Sequence, residues 1–252
     1  MNTKGRIAPT VGAICAVLAL SAGAAVARPG GSDPLPRGGQ PVNLDSADFT
    51  TDIDNPYWPM RPGSRWVYRE TDSSGARRRV VVTVTDKLKA TAIGVTARVI
   101  HDVVTEGGKP VEVTDDYYAQ DRAGNIWYFG EATAEYENGK LVTREGSFEA
   151  GVDGAQPGVI LPARPRVGMR YREEYYKGQA EDRARVFSLK QQVEVPFGYF
   201  RPGRVLMTRN QNRLEPKVLE YKFIARGIGP VLEVGVSGGN DRAELVSFRR
   251  RK

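Results

Sequence analysis

From Arg65 to Phe248 the chain alternates apolar and polar side chains with a period of two. Val80, Val82 and Val84 interleave with Arg79, Thr83 and Thr85. Phe187, Leu189, Val193 and Val195 interleave with Ser188, Lys190, Gln192 and Glu194. Leu219, Tyr221, Phe223 and Ala225 interleave with Glu220 and Lys222. Successive strand side chains point to opposite faces, so this pattern gives each strand one core face and one wet face. Turn chemistry separates the runs at Ser74-Gly75, Gly107-Gly108, Gly124-Asn125, Asn138-Gly139 and Gly238-Gly239. No segment beyond the N-terminal apolar run holds a helical period. The pattern predicts an all-β fold, an antiparallel meander of about eleven strands forming a curled sheet or barrel-like body.

Three sequence anchors recur in the same order. Gly63-Ser-Arg-Trp66 resembles Gly168-Met-Arg-Tyr171, an offset of 105 residues. Ala97-Arg-Val-Ile100 resembles Gly203-Arg-Val-Leu206 at 106, and 118–127 resembles 222–231 at 104. A nearly constant offset predicts two similar halves, 62–145 and 167–248, within a β domain spanning 54–248.

The ends read differently. Lys4 and Arg6 precede an apolar run, Val11 to Leu20, and a small-x-small site at Ala25-Val-Ala27. This is the pattern of a signal peptide over 1–27, so the chain is expected to be secreted or periplasmic. Cys15, the single cysteine, lies within it, leaving a mature chain held by its core rather than by disulfides. No second long apolar run follows, so no transmembrane segment is expected in the mature chain. Residues 28–53 are rich in Pro, Gly, Ser and Asp and predict a disordered linker. A basic tail, 249–252, closes the chain.

The net charge of +7 falls to +5 without Lys4 and Arg6, and to about +1 without the tail. A body so near neutrality excludes the clustered basic face of a nucleic-acid binder.

The segment Asn55-Pro-Tyr-Trp-Pro-Met-Arg-Pro-Gly63 concentrates rings and prolines just before the first strand. Proline cannot donate to a sheet ladder, so this stretch precedes the strand proper and folds back as a lid over a barrel end. Together with Tyr118-Ala-Gln-Asp121, Gly124-Asn-Ile-Trp-Tyr-Phe-Gly-Glu131 and Glu149-Ala-Gly-Val-Asp-Gly-Ala-Gln-Pro-Gly158, it resembles an uncharacterised family of secreted bacterial β-rich proteins. The second half, with Gly227-Ile-Gly-Pro-Val231, is also similar to envelope β-clamp proteins of unknown function. These resemblances imply secretion and a β-rich body, and carry no activity.

Candidate chemistry is sparse. His101 is the only histidine, and its parity with Val99 and Val103 reads as a half-buried sheet residue. One histidine and no mature cysteine predict no zinc site, and no cofactor signature is present. Carboxylates are plentiful, including Asp115-Asp116, Glu173-Glu174 and Glu181-Asp182, but neighbours on a strand point to opposite faces. The long 146–168 segment reads as an inter-half loop. Ring density and loop length place a candidate ligand surface at Trp58, Trp127, Tyr128, Glu131, Glu149 and Asp153, suited to an apolar or glycan ligand of the cell envelope. The expected function is a non-catalytic binding or envelope-associated protein. The alternatives are a carboxylate-dependent hydrolase of envelope polysaccharide and a structural envelope component. The sequence leaves oligomeric state open.

Overall fold

The computed structural model describes residues 35–251; the expected signal peptide, the first part of the expected linker and Lys252 lie outside them. The strands are β1 (Phe49–Thr50), β2 (Arg65–Thr71), β3 (Arg77–Ala90), β4 (Thr96–Glu106), β5 (Lys109–Asp121) and β6 (Ile126–Glu137). They continue as β7 (Lys140–Thr143), β8 (Phe148–Glu149), β9 (Gln156–Leu161), β10 (Arg170–Arg172) and β11 (Glu174–Tyr175). β12 (Asp182–Val195), β13 (Gly198–Asn212), β14 (Leu219–Ala225), β15 (Gly229–Ser237) and β16 (Arg242–Arg249) complete the set.

All belong to one antiparallel sheet with the path β10-β12-β13-β14-β15-β16-β2-β3-β4-β5-β6-β9-β11. β10 and β11 are one extended stretch divided at Glu173. Its first part pairs with β12 and its second with β9. A single short segment therefore holds both ends of the path, and the sheet curls into a nearly closed barrel. The protein is all-β and barrel-like, as the alternation predicts. The described residues form sixteen strands rather than about eleven, because short pieces such as β1, β7, β8, β10 and β11 carry too few residues to register as a period.

The sheet path contains two meanders. β2 to β6 form a meander followed by β9; β10 and β12 to β15 form a meander followed by β16. β9 pairs with the start of the second run and β16 with the start of the first. Gly63 N–H donates to Val84 O at 2.7 Å, and Val84 N–H to Ser64 O at 3.0 Å. The second run repeats this with Gly168 to Val186 at 2.9 Å and Val186 to Met169 at 2.9 Å. Both glycines hold positive φ, +82° and +89°, a region that disfavours any residue with a Cβ. Three residues on, Trp66 and Tyr171 are each buried.

One end of the barrel is filled. Trp66, Val84, Ile126, Leu206, Val231 and Leu245 are buried there. Trp66 Nε1 donates to Ile228 O at 2.8 Å. The ring-and-proline segment caps this end. Ile53 bridges Met60, and buried Asn55 ties two turns together. Its Nδ2 donates to Gly124 O at 2.8 Å, while Gly227 N–H donates to the carbonyls of Pro56 and Tyr57. Trp58 lies edge-on to Trp66, ring centres 6.3 Å apart.

Over 35–53, the described part of the segment read as a linker, the chain lies against the barrel. A turn of 3-10 helix at Ser46–Asp48 leads into β1, which pairs with β5. Leu35, Val42, Leu44 and Phe49 pack on the core, few but well spaced along an extended stretch. The Arg172 guanidinium anchors it, donating from Nη1 to the carbonyls of Gly38 and Gln40 at 2.7 Å each. The 146–168 segment is likewise not a free loop. It contains β8 and β9, and β9 completes the wall.

Candidate functional site

The other end of the barrel is polar. A half-enclosed cavity of about 350 Å³ opens there, beside the 213–218 connection between β13 and β14. Its wall draws on both strand runs. Tyr118 of β5, Tyr128 of β6 and Ile160 of β9 face Glu174 of β11, Asp182 of β12 and Asn210 of β13. Glu220 and Lys222 of β14 complete that side, with Glu173 at the split between β10 and β11.

Glu173 is 6% exposed. Its Oε2 accepts from Asn210 Nδ2 at 2.7 Å, and Asn210 Oδ1 accepts from Thr208 Oγ1 at 2.7 Å. Burial lifts the Glu173 carboxyl to about 7, with the Lys222 charge acting the other way. Glu174 and Asp182 line the same cavity. Burial first, then the neighbouring Asp182 carboxylate, drive Glu174 far above the usual carboxylate range. Glu220 is raised by burial and by Glu233. Lys222 Nζ lies 3.3 Å from Glu233 Oε1, and that attraction holds the ammonium charged.

The acidic character continues along the inner wall. Tyr128 OH donates to Asp116 Oδ1 at 2.8 Å, and Asp116 is pushed up by burial and by Glu131. Burial, Glu112 and Glu70 raise Asp102 to about 7. The rings of Tyr118 and Tyr128 stack at 4.9 Å. Tyr118 is 7% exposed and lines the cavity, and its hydroxyl makes no hydrogen bond among the described residues.

The sequence pattern hides this site. In β14 the apolar parity of Leu219, Tyr221 and Phe223 suggests the inner face. Instead Lys222 pairs across from buried Thr208, and Ile224 from buried Leu206, so Glu220, Lys222 and Ile224 point inward. Tyr221 packs against Phe187 at 5.6 Å, and Phe187 is 45% exposed. β12 changes parity along its length. Ala184 and Val186 are buried at one end, Val193 and Val195 at the other, with three register shifts between Val186 and Val193. Glu173 and Glu174 both line the cavity despite being neighbours, because the strand changes partner between them.

Of the six residues singled out in the sequence, Tyr128 lines the cavity. Trp58 packs against Trp66 and against the cavity-lining Tyr118, ring centres 6.3 and 6.1 Å apart, and lies outside the lining itself. Trp127 packs under Phe49, rings 5.9 Å apart, and donates from Nε1 to Asp121 Oδ2 at 2.8 Å. Glu131 accepts from Thr133 Oγ1 at 3.2 Å, close to the cavity but outside its lining. Glu149 pairs with Lys89 at 3.0 Å and accepts from Ala92 N–H at 2.8 Å. Asp153 is an exposed turn residue with φ +49°. His101 Nδ1 lies 2.7 Å from Asp115 Oδ1 across β4 and β5, both side chains part-exposed. Among the described residues, no three His, Cys, Asp or Glu side chains are grouped so as to hold a metal ion. None of the described helices is long and apolar enough to cross a membrane.

No family model and no curated protein matches the chain. Among solved structures it is similar to a "putative lipoprotein" from Parabacteroides distasonis. The two are 12% identical with a TM-score of 0.41, over 77% of this chain and 98% of that one. A likeness at that level carries no functional argument.

Proposed function

We propose that the chain is an extracytoplasmic, non-catalytic binding protein that receives a hydrophilic ligand in the open end of its barrel. The signal-like N-terminus supports export. The observation that carries the binding reading is the half-enclosed cavity walled by the polar side chains of Glu173, Asn210, Glu174, Asp182 and Glu220 beside the Tyr118 and Tyr128 rings. A concave site with a few convergent polar groups is suited to a ligand that supplies their partners. Trp58, Trp127, Glu149 and Asp153 lie outside this chamber: the first three pack or pair with neighbouring side chains, and Asp153 sits in an exposed turn. The two similar strand runs are read as copies of one β unit whose shared interior is filled at one end and polar at the other.

A hydrolase reading draws on Glu174 and Asp182, two carboxyls that converge in a cavity. A glycosidase needs its acid and its nucleophile or base roughly 5–10 Å apart with one carboxyl raised, so this reading makes Glu174 the acid and predicts turnover. A thermal-shift screen of the mature chain against envelope glycans, amino sugars and oligoamines tests the proposal. Stabilisation by one class, lost in Glu173→Gln, is expected. No stabilisation by any class, or turnover of polysaccharide abolished by Glu174→Gln, would overturn it.

A further inference from the structure

The wall of this chamber is strongly one-sided in charge. Glu173, Glu174, Asp182, Glu215 and Glu220 line it, against Lys222 as the cation. Lys222 is itself matched by Glu233 at 3.3 Å from the adjacent strand, so it does not balance the others. Asp116 and Glu131 stand behind the tyrosines and add negative potential from the first strand run. No three of these carboxylates gather around one point, so the charge is spread along the cavity rather than focused for a single metal ion. The stacked Tyr118 and Tyr128 rings supply a π-surface, and the Tyr118 hydroxyl an open acceptor and donor.

We infer that the chamber binds an organic cation carrying more than one ammonium group, such as a short oligoamine, with its charges distributed between Glu174–Asp182 and Glu220. This rests on the binding reading above and specifies its ligand. An ammonium group offers three donors and no acceptor, the complement of a pair of ionised carboxylates. A cation resting on a tyrosine face gains further from the ring quadrupole. A neutral sugar would have to meet these carboxyls with their protons in place and would gain no charge attraction.

Burial keeps protons on the chamber's carboxyls, on Glu174 far above the usual range and on Glu173 up to about pH 7. An entering ammonium group takes the place of such a proton, which leaves to solvent. Binding therefore strengthens as pH rises, by up to about tenfold per pH unit for each proton released. The groups facing the pair are Glu173, Glu220 and Lys222, with Glu131 across the barrel.

Titration calorimetry of the mature chain with spermidine, at pH 5.5 and pH 8 and constant ionic strength, tests this. Chitotriose serves as the neutral probe, and the chain with Glu194→Gln, at the far end of β12, as the control variant. Spermidine is expected to bind at least about tenfold more tightly at pH 8, with proton release seen as a heat that depends on the buffer. The double variant Glu174→Gln with Asp182→Asn, and separately Glu220→Gln, should each weaken spermidine by about tenfold or more, while Glu194→Gln leaves it unchanged. Melting curves verify that each variant is folded. Chitotriose binding without spermidine binding overturns the cation inference and leaves the binding reading standing. Spermidine binding that ignores pH or all three carboxyl substitutions also overturns the inference. Binding of neither probe overturns both.

Discussion

Asn210 Nδ2 donates to Glu173 Oε2 at 2.7 Å, inside the barrel and at the point where one strand changes partner. Both residues are at least nine-tenths buried. Removing the donor leaves a buried carboxyl short of a partner, a loss of about 1–3 kcal/mol. Asn210→Leu should lower the unfolding free energy by that amount in chemical denaturation, and combining it with Glu173→Gln should restore part of it. Strict additivity of the two substitutions would contradict the coupling.

Glu173 also gives stability a direction with pH. Its folded carboxyl is raised from an ordinary 4.5 to about 7, mainly by burial. The folded state therefore holds this proton more tightly than the unfolded chain. The associated stability is fully present below the ordinary value and is lost as pH rises through about 7, on the order of 3 kcal/mol in all. The protein should melt at a higher temperature at pH 5 than at pH 8. Glu173→Gln should flatten that slope, and calorimetric scans across the window measure it.

The pH argument depends on residues whose inward direction cannot be read from alternation. Val80 and Val84 obey the period of two and are buried. In β14 the more apolar parity faces outward, where Tyr221 meets Phe187, and the charged parity faces in. Hydrophobicity identifies a core only when the interior is a core. Here one end of it is a polar chamber, and a strand lining that end inverts the rule. The bulges of β12 shift parity within one strand, which no fixed period can follow. The partner switch at Glu173 is a long-range event, because β9 and β12 approach it from opposite ends of the sheet path. Legible from sequence were the β class and the antiparallel, barrel-like body. The chamber was not, since its carboxylates looked like solvated sheet charges.

Gly158 separates close packing from simple conformational freedom. A Cβ there would stand 2.3 Å from Glu173 O, a backbone atom with no room to retreat. Gly158→Ala should cost about 3 kcal/mol by overpacking. Gly168→Ala meets nothing within 4 Å and suffers only from its φ of +89°, costing about 1–2 kcal/mol. Denaturant titrations of the two variants should rank in that order.

At the filled end, Trp66 is 1% exposed and reaches Ile228 O with its indole N–H. Trp66→Ala should cost about 3–5 kcal/mol. Trp66→Phe should keep most of the packing and lose mainly the hydrogen bond, about 1 kcal/mol. Equal losses from the two would show that the hydrogen bond, not the ring volume, secures this end.

The two junctions that make a cylinder of this sheet are unequal. β16 meets β2 through seven register pairs, whereas the other side depends on three between β10 and β12 and two between β11 and β9. Local opening begins where least must be broken. The thinnest stave therefore carries Glu173 and Glu174 themselves, so the wall of the chamber is weakest at two of the carboxyls that line it.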